Sequence, residues 1–214
     1  MQAGIGGNWA REPHLSPEQL SSVRGLNQRF LDLAGGGADQ WDAARAPGGN
    51  PMLAAGLAQQ LAPLSRTQRA AVASCPYALF DLRFEDQTYW ESRLAQTPPL
   101  RVAPLRVADE SLDAEVVDFV RLALFYAWHV SCTASLAAQF LLGMSPATVE
   151  SFRGVGVNSL PGLAASEAAN LSARWRNCAA YWSAMIAAAA RADPPALRRV
   201  QLYGLQLAAA ARLP

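Results

Sequence analysis

The stretch Leu122–Val149, LALFYAWHVSCTASLAAQFLLGMSPATV, contains no Asp, Glu, Arg or Lys and decides how the chain folds. It is long enough to span a bilayer. However, polar side chains, His129 among them, are spread through its middle, and a break from Gly143 to Pro146 interrupts it. We therefore predict a helix buried at the centre of the protein, with no membrane span.

The composition of the 214-residue chain excludes several classes of protein. Apolar residues make up 51% and charged residues 16%, the formal net charge is +1, and all 18 basic residues are Arg. Such a chain is too apolar to be disordered and too nearly neutral to coat nucleic acid. Three widely spaced cysteines exclude a disulfide scaffold and offer no zinc motif.

The N-terminal residues MQAGIGGNWAREPH lack the basic region and apolar run of a signal peptide. Together with the widely spaced cysteines, this pattern predicts a cytoplasmic protein with reduced thiols.

Helix start and stop signals divide the rest of the chain. Ser16–Gln19 and Ser65–Gln68 are capping boxes, and Gly35 is expected to end the first helix. A long helix is predicted from Ser111 to Leu142, and no strand pair is evident. The sequence therefore predicts an all-α helical bundle around a long central apolar helix. Its predicted parts are an N-terminal helical unit (1–96), a Pro-rich linker (97–110) and a C-terminal helical unit (111–214).

The residues Leu136–Gly154, LAAQFLLGMSPATVESFRG, have the pattern of a helix-turn-helix. Its second helix would bury Val149 and Phe152. The predicted nucleic-acid-binding side chains, pointing outward, are Ser145, Thr148, Ser151 and Arg153. Gln139 stands where such motifs usually have Ala, and Glu150 would repel DNA. A helical corner that binds no DNA therefore remains an alternative.

A second candidate site combines arginines with aromatic residues. Its predicted partner-binding side chains are Arg174, Trp175, Arg176 and Trp182. The alternative is that the aromatic rings lie in the core with Arg stems across them.

Neither a catalytic site nor a cofactor or metal site is predicted. His129 has no motif to supply a catalytic partner, so a hydrogen-bonded core histidine is expected. The acidic cluster around Arg83, made of Asp81, Glu85, Asp86 and Glu91, is interpreted as a solvated face.

The region from about Leu122 to Trp175 resembles the D subunit of the bacterial flagellar master transcriptional activator. The resemblance rests on the long apolar helix, on Phe140–Met144 with the short helix that follows it, on Leu163-Ala164, and on Arg174-Trp175. It implies an all-α, oligomeric protein that activates transcription with a partner subunit carrying the zinc. Since matching zinc cysteines are absent from this sequence, only the helical, partner-dependent role carries over.

Residues Leu64–Asp86 fit the same family segment, which suggests an internal repeat. At an offset of 91, Val72-Ala73 pairs with Leu163-Ala164 and Arg83-Phe84 pairs with Arg174-Trp175. Tyr89-Trp90 then pairs with Tyr181-Trp182 after a one-residue insertion. The hypothesis is two divergent copies of one helical unit.

The leading functional hypothesis is a non-enzymatic regulator of transcription that acts through a protein partner or a homo-oligomer, with DNA as a further partner. The alternative is a protein–protein adaptor or assembly factor of a flagellar or secretion-type apparatus that binds no DNA.

Overall fold

The computed structural model describes residues 15–44, 56–96 and 112–210. Ten α-helices and two short strands occur in these ranges. In chain order they are α1 (Pro17–Ala44), α2 (Leu57–Leu61), α3 (Arg66–Ala73), β1 (Phe80–Asp81), α4 (Gln87–Ala95), α5 (Leu112–Thr133), α6 (Ser135–Leu142), α7 (Pro146–Arg153), α8 (Leu160–Glu167), β2 (Ser172–Ala173), α9 (Ala179–Ala190) and α10 (Pro194–Ala210).

The predicted all-α class is confirmed in its main feature, since helices dominate the described residues. The expectation of no strand pair is wrong, because β1 and β2 form a two-stranded antiparallel ribbon. Phe80 lies opposite Ala173, and Asp81 lies opposite Ser172. Only two residues of each strand pair, too few to produce a detectable alternation of apolar and polar residues.

The helix predicted from Ser111 to Leu142 is two helices. α5 ends at Thr133, and Ala134 leaves the helical conformation with φ −155° and ψ 75° before α6 begins. The Thr133 hydroxyl donates a hydrogen bond to the carbonyl of His129 (2.8 Å), a local bond that bends helices. The apolar run therefore changes direction once before the turn at Gly143.

The predicted end of α1 at Gly35 is also wrong, because the helix continues to Ala44. A Cβ on Gly35 would lie 3.3 Å from a guanidinium nitrogen of Arg69. This glycine therefore makes room for a neighbouring side chain instead of ending the helix.

His129 is exposed on α5, contrary to the predicted core position. Leu122 on α5, which is 37% exposed, and Leu136 on α6, which is 57% exposed, are also open to solvent. The neighbouring Trp128 is half-buried, and its indole donates to the carbonyl of Val155 (3.0 Å). The apolar run is thus covered on one side by α1, α7 and α8 and faces solvent on another.

One continuous core joins residues from both sides of the predicted linker. Phe30 of α1, Phe80 of β1 and Phe119 of α5 pack with ring centroids 5.1–6.1 Å apart. The buried Asn27 amide donates to the carbonyl of Tyr77 (2.8 Å) and accepts from the backbone N–H of Leu79 (2.8 Å). These contacts fix the segment that leads into β1 against α1. The predicted linker, 97–110, lies outside the described residues.

None of the described helices has the length and apolar character needed to cross a membrane.

Candidate functional site

The helix-turn-helix pattern corresponds to α6, a turn and α7. Gly143 adopts the left-handed conformation (φ 76°), and the Ser145 side chain accepts a hydrogen bond from the backbone N–H of Thr148 (3.0 Å). Val149 and Phe152 are buried, as predicted. Local sequence signals therefore set the end of α6 and the start of α7.

The predicted DNA-facing side chains differ in exposure, since Arg153 is exposed and Ser145 and Ser151 are half-buried. Thr148 is fully buried, which corrects the expectation that it points outward. The Ser151 hydroxyl donates to the carbonyl of Ala147 (3.0 Å), and Arg153 forms an ion pair with Glu150 (3.0 Å). The helix packs on α4 and α5 through this side, so Thr148 is covered.

Two of the four predicted partner-binding residues lie in the interior. The Trp182 indole donates to the backbone carbonyl of Arg174 (3.0 Å). Arg174 is itself only 5% exposed, and its guanidinium donates to the carbonyl of Leu141 (3.4 Å). A Cβ on Gly143 would lie 2.4 Å from this guanidinium, so the glycine leaves the space that Arg174 occupies. Arg174 and Trp182 thus hold the fold together.

The other two predicted residues, Trp175 and Arg176, line a cavity of about 690 Å³ that crosses the β1–β2 ribbon. This volume lies within the range of small-molecule and peptide pockets. We call this cavity the ribbon groove; its lining residues are Asp81, Arg83, Asn170, Ser172, Ala173, Trp175, Arg176, Asn177 and Cys178.

Two strained residues open into the ribbon groove. Arg83 has φ 58° and Trp175 has φ 52°, in the left-handed region that non-glycine residues seldom adopt. Ala192, with φ 50°, is explained by its place after α9, where Asp193 N–H donates to the carbonyl of Ala188 (3.0 Å). Helix termination does not explain the other two, since each precedes a helix. Strain of this kind clusters at functional sites.

Arg83 and Trp175 occupy corresponding places in two similar segments. Each lies two residues after its strand and four residues before the helix that follows, α4 or α9. We call residues 80–95 the first segment and residues 172–190 the second segment.

The two segments share a tryptophan hydrogen bond. The Trp90 indole donates to the carbonyl of Leu82 (3.2 Å), eight residues earlier, just as the Trp182 indole donates to that of Arg174. The offset between the segments is 92 throughout. By position relative to strand and helix, Arg83 thus matches Trp175, whereas the repeat predicted from the sequence pairs it with Arg174.

The polar groups of the groove differ in how they are held. Arg83 pairs with Asp86 and lies over the Tyr89 ring, with its guanidinium carbon 4.1 Å from the centroid. The backbone N–H of Tyr89 and the Arg83 guanidinium together lower the pKa of Asp86. Arg176 forms no ion pair with any described residue. It is therefore the cation of this groove that is available to a ligand.

The predicted acidic cluster holds no metal-ligand arrangement. Asp81 accepts a hydrogen bond from the backbone N–H of Phe84 (3.2 Å), and Asp86 caps α4. Within the described ranges, no group of three or more His, Cys, Asp or Glu side chains is placed to hold a metal ion.

Glu167, which is not among the residues predicted from the sequence, is fully buried at the end of α8. Its carboxylate pairs with Arg93 (2.7 Å), accepts from the Asn170 amide (2.8 Å) and accepts a short hydrogen bond from the Tyr89 hydroxyl. It is the only acidic residue between Glu150 and Asp193, and this isolation in an apolar helix was the available signal. The carboxylate ties the first segment to α8 beside the groove.

Comparison with known proteins gives no match to a family model, to a curated protein or to a solved structure. The resemblance to the flagellar activator subunit therefore stays a prediction from the sequence.

Proposed function

We propose that the chain is a non-enzymatic regulatory protein that acts by binding a protein partner through the ribbon groove. One observation carries this proposal: Arg83 and Trp175, which adopt left-handed turn conformations although neither is glycine, line the same cavity. The strain costs about 1–2 kcal/mol at each residue, which a purely structural turn would avoid with glycine.

The side chains of the groove suit recognition of a protein segment. Tryptophan and arginine are the residues that most often anchor protein interfaces. Trp175 is half-buried and supported edge-on by Tyr77 and Tyr181, with ring centroids 5.3 and 5.1 Å away. The Trp175 ring is held by its neighbours, and Arg176 has no ion-pair partner among the described residues. Together they favour a partner segment that presents an apolar side chain beside a carboxylate.

Direct DNA contact is the second candidate, and the turn between α6 and α7 favours it. The left-handed Gly143 and the Ser145 cap are the turn features that the helix-turn-helix pattern predicts. Against it, exposed Glu150 lies beside Arg153 and offsets its charge. We therefore place any action on transcription in the partner complex, with DNA binding by the isolated chain as an outcome of the test.

We also propose that the first and second segments derive from one duplicated unit. Support comes from the constant offset of 92 residues, the paired left-handed residues and the matching indole bonds. The ribbon would then be the contact through which the two copies meet.

Affinity capture from the source cells tests the partner-binding function with Arg176→Glu. The matched control is Arg121→Glu, an exposed arginine on α5 that pairs only with its neighbour Asp118 among the described side chains. We expect a specific set of proteins to be retained by the wild type and the control but lost by Arg176→Glu. An identical retained set for all three proteins would refute the proposal.

The same three proteins are tested with promoter DNA over a range of salt concentrations, together with Arg153→Ala. Binding by the isolated chain that weakens steeply with salt and is lost in Arg153→Ala would establish the DNA-contact alternative.

A further inference from the structure

The helices α9 and α10 form a surface that the ribbon groove does not use. A shallow cavity of about 280 Å³ lies between them, with small side chains on its floor and arginines at its rim. We call this the α9–α10 face; its lining includes Ala184, Ala187, Arg191, Ala196, Arg199 and Tyr203.

The charge of this face is one-sided. Asp193 is the only acidic residue from 168 to the end of the sequence. Its carboxylate is occupied in capping α10, where it accepts from the backbone N–H of Ala196 (2.9 Å). Arg191, Arg198 and Arg199 are exposed and form no ion pair with any described residue. The face is therefore a local cluster of positive charge on a nearly neutral protein.

At and beside this face, α10 exposes apolar surface next to its arginines. Leu202 is 59% exposed and Tyr203 is 42% exposed, the two most C-terminal large apolar side chains that are open to solvent among the described residues. Arg198 precedes Leu202 by four residues, and Arg199 precedes Tyr203 by four, so the charged and apolar groups are neighbours on α10. A ligand here would meet positive charge and apolar area together.

The shape of the face selects the kind of ligand. Alanines at 184, 187 and 196 leave a furrow between two helices, into which a ridge of side chains from a third helix can pack. A flat bilayer would leave that furrow unfilled.

We propose that the α9–α10 face binds an acidic amphipathic helix of a partner protein. The apolar ridge of that helix packs into the furrow over Ala184 and Ala187, and its flanking carboxylates pair with Arg191 and Arg199. This is helix-in-groove recognition with complementary charge. No described residue lines both this face and the ribbon groove, and neither proposal depends on the other.

The probe is a fluorescent synthetic helix of about 18 residues, roughly 27 Å long, with leucines on one face and glutamates flanking them. A matched peptide carries lysine in place of each glutamate. Fluorescence anisotropy with the full chain is expected to show binding of the glutamate peptide only. That binding is expected to weaken as salt rises, because exposed charge pairs are screened.

Two variants separate charge from shape. Arg191→Glu/Arg199→Glu is expected to weaken binding of the glutamate peptide by about tenfold or more. Ala184→Phe keeps the charge but fills the furrow from an exposed position, and a similar loss is expected. Arg121→Glu on α5 changes charge on another surface and is expected to leave the affinity within about twofold of the wild type.

Three results would overturn the proposal. One is equal binding of the glutamate and lysine peptides, and another is wild-type affinity in Ala184→Phe. The third is displacement of the peptide by phosphatidylserine vesicles or duplex DNA that bind more tightly than it does, which would assign the face to a membrane or to nucleic acid. Circular dichroism of each variant confirms that the helices are retained.

Discussion

The first and second segments share the spacing of strand, left-handed residue and helix, but their loop side chains make different contacts. In the first, Phe84 packs in the core against Trp90 and Phe152, with ring centroids 6.0 and 6.1 Å apart. Asp86 caps α4 by accepting from the backbone N–H of Tyr89 (2.9 Å). The positions 92 residues later are Arg176, which lines the ribbon groove, and Cys178, whose side chain makes no capping bond.

The second segment therefore lacks stabilising contacts that the first segment makes. An N-cap of Asp contributes about 1 kcal/mol, and a buried phenylalanine contributes more. The second segment lacks both and instead directs polar side chains into a cavity.

The largest effect is expected where the two halves of the molecule meet on α10. A Cβ on Gly204 would lie 2.0 Å from the Tyr77 hydroxyl and 3.1 Å from the Tyr181 ring. Both rings are fully buried, so Gly204→Ala forces overpacking and is expected to lower the free energy of unfolding by about 3 kcal/mol. Gly25→Ala is the control, because nothing lies within 4 Å of its Cβ position. Urea denaturation should show the control unchanged or up to about 1 kcal/mol more stable.

The two indole hydrogen bonds should contribute equally if the segments are equivalent. Trp90→Phe and Trp182→Phe each leave a buried carbonyl without its donor and reduce side-chain volume. Each is expected to cost about 2 kcal/mol in unfolding free energy. Trp128→Phe removes a similar bond from a half-buried ring and should cost less, since water can reach the carbonyl. Changes in unfolding free energy for Trp90→Phe and Trp182→Phe that differ by more than about 2 kcal/mol would contradict the equivalence of the two segments.

Removing the N-cap of α4 and adding one to α9 should change the free energy of unfolding in opposite directions. Asp86→Ala is expected to cost about 1 kcal/mol, because α4 loses its side-chain cap. Cys178→Asp places the carboxylate at the corresponding position of α9 and is expected to add about 1 kcal/mol. Thermal and urea unfolding measure both changes. A Cys178→Asp protein that is no more stable than wild type would show that α9 does not lack a cap in solution.

Alkaline pH should distinguish the tyrosines at corresponding positions. Burial, followed by its hydrogen bond to Glu167, raises the pKa of Tyr89 to about 12. Burial also raises the pKa of Tyr181, well above its usual value, with the nearby Cys75 and Tyr77 adding to the shift. Both pKa values are raised on folding, so this contribution to stability is complete below about pH 10 and is lost as pH rises towards 12.

Near-ultraviolet absorbance of phenolate measures this titration. Tyr89 should ionise before Tyr181, and unfolding should accompany ionisation of the latter. The Tyr203→Phe variant removes an exposed tyrosine and should leave the unfolding pH unchanged. Simultaneous ionisation of all tyrosines near pH 10 in the folded chain would contradict the prediction.

Local signals in the sequence predicted helix boundaries well, because the bonds that set them are local. The Ser65 capping box and the Ser145 cap each join residues three positions apart, and both are present. The break at Ala134 and the continuation of α1 past Gly35 escaped prediction. The second depends on Arg69, a residue brought near by tertiary packing.

The four predicted partner-binding residues also divide into two that lie in open positions and two that do not. Trp175 and Arg176 were predicted as ligand-facing and do line a cavity, whereas Arg174 and Trp182 are interior. Burial of Arg174 depends on an acceptor more than thirty residues earlier, the carbonyl of Leu141. Periodicity within one helix carries no information about such a partner, so neither the burial nor the groove could be read from the sequence.

The buried Glu167 carboxylate has a consequence for the order of folding during synthesis. Its partners Tyr89 and Arg93 precede it by 78 and 74 residues, so they leave the ribosome long before it does. An ionised carboxylate can be dehydrated only once its cation is in place, so α8 docks with its ion pair complete or not at all. β1 must likewise wait for β2, which follows Glu167 in the chain. A nascent chain stalled before α8 would expose apolar surface of α5 that α8 covers, and proteases and chaperones would recognise it as unfinished.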